Sequence, residues 1–230
     1  MKNIFILLVF IVLWIVVTIT MFTHDTDVYL SPNVCKCRKM VVCIGLPRTG
    51  TCSFSRALSI LGYKVQHFPI NLISKLNLYK MKRNALVDLT MLDITPSQVH
   101  EMFPEATLVY TFRGDQEAWV KSMYSLRDIL KKCAYYIPRM RAVYNRFLKT
   151  YGETKSTFLS KKRDYESEVV NLSKKTNVSF MDITNQENSD EEKWNMVGEA
   201  LELKDSRFSY VRFPNEYHIM LHVKQVWKLI

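Results

Sequence analysis

Arg48, Thr49, Thr51 and Ser53 fall within one short turn, Gly45-Leu46-Pro47-Arg48-Thr49-Gly50-Thr51-Cys52-Ser53. A guanidinium, several hydroxyls and two glycines in so few residues are what it takes to hold a phosphate. Gly45 and Gly50 have the G-x-x-x-x-G spacing of a nucleotide-binding loop, and glycine lets backbone N–H groups approach an anion closely. The lysine that a nucleoside triphosphatase needs next is absent, because Thr51 stands in its place. Arg48 supplies the cation from inside the loop instead. The segment reads as a phosphate cradle without machinery for hydrolysing ATP or GTP.

To aim such a loop, the chain needs a strand before it and a helix after it. Val41-Val42-Cys43-Ile44 is an apolar run of β type, and Phe54, Ala57, Leu58 and Leu61 share one face of a helix that stops at Gly62. Strand, tight loop and helix together direct N–H groups and a positive helix terminus at one point.

Gly-Leu-Pro-Arg-Thr-Gly-Thr resembles the loop that grips the 5′-phosphosulfate of PAPS in the PAPS-dependent sulfotransferases, above all their divergent Gly-x-Pro-Arg-Thr-Gly-Thr branch. Further on, Phe103-Pro104-Glu105-Ala106-Thr107-Leu108-Val109-Tyr110-Thr111-Phe112-Arg113, with Trp119 and Ser122, is similar to that family's second signature. Phe180-Met181-Asp182-Ile183-Thr184, Trp194 and Phe213-Pro214-Asn215 resemble its later segments, so the likeness runs from Val41 to Asn215. The resemblance implies that Pro47, Arg48, Thr49, Gly50, Thr51, Cys52 and Ser53 cradle the 5′-phosphate. It implies that Arg113 and Ser122 hold the 3′-phosphate, a task that suits the planar fork of arginine. Two departures stand out. Arg113 and Ser122 are nine residues apart where eight is usual, and an extra residue turns a helical side chain by ~100° unless Gly114-Asp115 absorbs it. Cys52 replaces a threonine common among relatives.

Sulfuryl transfer needs a cation on the leaving oxygen and a base for the acceptor, and no metal. Arg48 fills the first role. For the base the resemblance points to Asp88, at the end of the short run Ala85-Leu86-Val87, with His67 and Asp93 as the other candidates. A carboxylate serves if burial raises its pKa. A catalytically silent, scaffolding relative is the rival reading, supported by Cys52 and the nine-residue spacing. A small-molecule kinase is a third, which the missing lysine disfavours.

The remaining elements follow from pattern. Tyr63 to His67 and Ala106 to Phe112 read as strands, and Val178 to Thr184 as the last one. Thr95-Pro96-Ser97-Gln98 and Ser189 with Glu192 are capping boxes. Three helices between them carry Trp119, Met123, Leu126 and Leu130; Met140, Val143, Tyr144, Phe147 and Tyr151; and Phe158, Tyr165, Val169 and Leu172. A last one carries Trp194, Val197 and Leu201. Strands separated by helices predict an α/β fold, a P-loop-like three-layer α/β/α sandwich with a parallel sheet.

Residues 4–22 are 19 uncharged, apolar residues, roughly 28 Å of helix at ~1.5 Å per residue and enough to span a bilayer. Bulky Met21-Phe22-Thr23-His24 offers no cleavage site, so a retained signal anchor is expected. The expected organisation is a cytoplasmic tail over 1–3, a single-pass type II transmembrane helix over 4–22, a stem over 23–38 and a catalytic domain over 39–230, facing the Golgi lumen. The sequons at Asn171 and Asn177 agree with that. Five cysteines leave at least one thiol unpaired, and a stem cysteine, Cys35 or Cys37, could link a homodimer. The net charge of +10 comes from 32 Lys and Arg against 22 Asp and Glu, in clusters such as Lys131-Lys132, Lys161-Lys162-Arg163 and Lys174-Lys175. These read as solvated helix surface, or as a field for an anionic acceptor such as an acidic glycan. No nucleic-acid motif appears.

Overall fold

The computed structural model describes residues 39–67, 84–92, 94–136, 138–203 and 212–214. The expected tail, anchor and stem, and with them Cys35, Cys37, Asp93 and Asn215, lie outside these residues. Among the described residues no helix is long and apolar enough to cross a membrane.

Among the described residues five strands form one parallel sheet: β1 Val41–Cys43, β2 Val65–His67, β3 Ala85–Val87, β4 Thr107–Thr111 and β5 Val178–Met181, in the order β2-β3-β1-β4-β5. Among the described residues six α-helices accompany them: α1 Thr51–Ile60, α2 Pro96–Met102, α3 Gln116–Tyr136, α4 Pro138–Tyr151, α5 Lys155–Ser173 and α6 Asp190–Ala200. Because side chains alternate along a strand, β1 feeds two cores. Val42 and Ile44 pack with Leu108, Tyr110 and the buried faces of α2 to α5. Val41 and Cys43 pack with Ala85, Val87, Val109 and the apolar faces of α1 and α6. The result is the three-layer α/β/α sandwich expected from the pattern.

The sequence-derived strand over Val178–Thr184 is shorter in the structure and ends at Met181. Asp182 stops it, since its Oδ1 accepts the backbone N–H groups of Thr184 (3.0 Å) and Asn185 (3.1 Å) and turns the chain. The capping boxes at Thr95 and Ser189 are both present.

The strand order has one functional consequence. After β1 the chain runs to β2 at one edge of the sheet, returns to β3 beside β1, then crosses to β4 on the other side. The turns after β1 and β4 therefore leave the sheet in opposite directions and open a crevice at the carboxyl ends of adjacent strands, where ligands bind in open α/β sheets.

Candidate active site

The loop after β1 is shaped mainly by its own backbone. Gly45 passes so close to β4 that a Cβ there would collide with Thr111 Oγ1 and stand 2.9 Å from the Thr111 carbonyl oxygen. The buried hydroxyl of Thr49 donates to the Leu46 carbonyl at 2.6 Å and lies 3.0 Å from Thr111 Oγ1. Arg48 and Gly50 both have left-handed backbone, with φ of 69° and 88°. At Gly50 this conformation ends the loop and starts α1, which has no side-chain cap and no acidic residue in its first turn. The first N–H groups of α1, with their positive dipole end, thus face the loop, which is an arrangement for an anion.

Two contacts join this loop to the segment after β4. Trp119, buried in α3, donates its indole N–H to the Pro47 carbonyl at 2.9 Å. Arg48 donates through Nε to Ser122 Oγ at 2.7 Å. Ser122 is buried and faces the loop, whereas Lys121 is exposed. The nine-residue separation from Arg113 is absorbed before the helix: Asp115 Oδ1 accepts the Ala118 N–H at 2.9 Å and starts α3 there, leaving Gly114 as a spacer.

Asp88 and His67, from β3 and β2, close the other side. Asp88 follows β3 with φ of 67°, an uncommon conformation for a residue with a side chain. Its carboxyl is buried and, among the described residues, its Oδ1 has no hydrogen-bond partner. Burial pushes the carboxyl up to about 7, against the opposing pull of the Arg48 charge. His67 Nε2 stands 3.9 Å from Asp88 Oδ2 and 3.6 Å from Cys52 Sγ. Burial pushes the imidazole down to about 4, so at neutral pH it faces the carboxyl as a neutral ring. Cys52 is exposed at the second position of α1, while Cys43 lies in the core with its thiol pushed up to about 11 by burial. Among the described residues Cys43 and Cys133 are free thiols.

Of the residues singled out from sequence, Arg48, Ser122, Asp88, His67 and Cys52 are thus joined in one succession of contacts. The hydroxyl of Thr49 is turned into the protein, so only its backbone can meet a ligand. Arg113 lies just beyond β4, and Asp93 is outside the described residues.

Two residues that bear on the site were not anticipated. Lys162, from a run read as solvated surface, is buried, and its Nζ donates to the Arg113 carbonyl at 3.2 Å. A signal for it was present, since Lys162 falls four residues after Phe158 and three before Tyr165, on the apolar stripe of its own helix. Asp182, besides turning the chain, accepts the Gly114 N–H on Oδ2 at 2.7 Å. The other basic clusters behave as expected, with Lys131, Lys132, Lys174 and Lys175 exposed.

A protein-family model described as a sulfotransferase domain matches the chain in two overlapping segments, residues 40–86 and 77–189. No curated protein matches it.

Proposed function

This chain belongs to the sulfotransferase domain family, and on that footing we propose that it transfers a sulfuryl group from PAPS to a hydroxyl or amine acceptor. The observation that carries this reading is the 2.7 Å bond from Arg48 to Ser122, which brings the loop cation and the α3 hydroxyl together at the mouth of the crevice. A donor with phosphates at both 5′ and 3′ positions suits such a paired site, with the loop taking one end and Arg113 with Ser122 the other.

In this mechanism the acceptor oxygen forms a bond to sulfur while the bond from sulfur to the 5′-phosphate oxygen breaks. Arg48 bears on the departing oxygen and stabilises the charge that collects there. It does so as a fixed cation and not as an acid, because a guanidinium keeps its protons. Asp88 takes the acceptor proton. Its carboxyl near 7 is matched to neutral pH, where a base is most effective. His67, at about 4, is a much weaker base, and its neutral ring lies beside the carboxyl to orient it.

The proposed setting is a secretory membrane, that of the Golgi, with residues 4–22 as the anchor and an acidic glycan as acceptor. Exposed Asn177, in the turn between α5 and β5, supports a luminal domain. Calorimetry with adenosine 3′,5′-bisphosphate against ATP tests the donor assignment. Preference for the bisphosphate together with transfer from radiolabelled PAPS is expected. Preference for ATP would overturn the reading, and tight bisphosphate binding without transfer to any of a panel of acceptors would mark a silent relative. Protease digestion of the domain in sealed microsomes would count against the luminal location.

A further inference from the structure

The peptide group between Arg113 and Gly114 is held at both of its polar ends. Its carbonyl oxygen accepts from Lys162 Nζ at 3.2 Å, and its N–H donates to Asp182 Oδ2 at 2.7 Å. A cation on the oxygen and a carboxylate on the N–H align with the dipole of that one peptide, and charge-assisted bonds are the stronger kind. Both anchors are themselves held. Lys162 lies 5.6 Å from the centre of the Trp119 ring and 3.5 Å from Glu166 Oε1, which also accepts from the Tyr110 hydroxyl at 3.3 Å. Asp182 uses its second oxygen to form the turn at Thr184, and that turn packs on the phosphate loop: a Cβ on Gly50 would stand 2.8 Å from Ile183 Cγ1.

We propose that Lys162 and Asp182 are positioning residues that fix the Arg113–Gly114 peptide and so aim Arg113 at the 3′-phosphate of the donor. This rests on the reading of Arg113 given above. A side chain leaves the backbone in a direction set by the peptides on either side of it. A peptide free to rotate would let the guanidinium sweep an arc; a peptide held at both ends confines it. Because Asp182 also forms the turn that abuts Gly50, the same residue spaces the two phosphate subsites relative to each other. The clamp therefore acts on discrimination between nucleotides with and without a 3′-phosphate and not on nucleotide binding in general.

The test compares adenosine 3′,5′-bisphosphate with AMP, which differ only in the 3′-phosphate, by calorimetry. Lys162→Met keeps the length and apolar stem of the side chain but cannot donate. Asp182→Asn keeps an oxygen for the turn while removing the carboxylate from Gly114. In both, the bisphosphate-to-AMP affinity ratio is expected to fall by ~10-fold, since a misplacement on the order of 1 Å can cost up to ~10²-fold. In Lys162→Met, whose printed bond is to the Arg113 carbonyl and not to the loop after β1, affinity for AMP should stay within ~2-fold of wild type. Lys162→Arg, which can still donate to the carbonyl, should keep most of the ratio. An unchanged ratio in folded Lys162→Met overturns the proposal; should that variant not fold, the ratio in Asp182→Asn decides it. A wild type with no preference for the bisphosphate, or a preference that survives Arg113→Ala, refutes the reading of Arg113 itself. A preference lost in Arg113→Ala but intact in Lys162→Met and Asp182→Asn leaves that reading standing and removes only the clamp.

Discussion

The turn after β1 is braced mostly from within, by Thr49 bonded three residues back to Leu46, two glycines and a left-handed arginine. The turn after β4 is braced from afar, by Lys162 at 49 residues' distance and Asp182 at 68. The first can be assembled by a contiguous peptide once strand and helix form around it. The second exists only after α5 and β5 have docked. The difference shows that one site can combine a local motif, which tolerates change elsewhere, with a tertiary one, which does not. Arg48 is where they meet, since it belongs to the first and bonds to Ser122 of the second.

Substitutions should separate the two halves. Arg48→Ala is expected to have the largest effect, because it removes the cation from the local half and the tether to the other. Turnover should fall by ~10²–10³-fold, as when one preorganised donor to developing charge is lost. Affinity for adenosine 3′,5′-bisphosphate and adenosine 5′-phosphosulfate should fall together. Arg113→Ala should instead weaken the bisphosphate by ~2–4 kcal/mol and scarcely alter adenosine 5′-phosphosulfate, which lacks the 3′ group. Equal losses for the two ligands would mean that the halves are not separable in this way.

Asp88→Asn should leave binding of both ligands nearly intact and lower kcat by ~10²-fold. If Asp88 is the base, the pH–rate profile of the wild type rises through about 7; a rise centred near 4 would assign the role to His67. The same variant has a signature in stability. A carboxyl raised from its ordinary value on folding binds its proton more tightly in the native state. Its stabilising contribution is therefore full below about 4 and is lost as pH rises through about 7. Thermal denaturation should accordingly show Asp88→Asn gaining on wild type between pH 5 and pH 8. Loss of ground instead would mean that the buried carboxylate is held by a partner.

Most of the fold was legible because its signals are local. Short apolar runs bounded by Gly, Pro or Asp marked β1 to β4, and the Thr95 and Ser189 caps marked two helix starts. The cap at Thr154 escaped because its partner at the third helical position is Thr157 and not the Glu or Gln of the usual box. The strand boundary at Met181 escaped because Val178 to Thr184 has a continuous β-type composition, and only the side chain of Asp182, bonded to its own neighbours, interrupts it. The loop after β1 could be read because its residues are contiguous in the chain. Lys162 was hidden by its neighbours: Lys161 and Arg163 make the segment look like solvent-facing charge, and helical phase alone turns the middle residue inward. The proximity of His67, Asp88 and Cys52 depends on β2 and β3 lying side by side at the carboxyl edge, which no spacing in the chain reveals.

The orphaned oxygen of Asp88 has one more consequence, in proton accounting. With its carboxyl pushed up to about 7 by burial, Asp88 titrates close to neutral pH, and the Arg48 charge favours its ionised form. A donor phosphate settling on Arg48 diverts that charge and adds negative charge of its own, so the acid must strengthen its hold on hydrogen. Donor binding at pH 7 should then draw a fraction of a proton from solution. The heat of binding would vary with the ionisation enthalpy of the buffer, and donor affinity would decline from pH 7 to pH 8. Each arriving donor would thus tend to protonate the base, and the acceptor would meet the smaller, ionised fraction, so that turnover is coupled to the pH of whatever compartment the domain occupies.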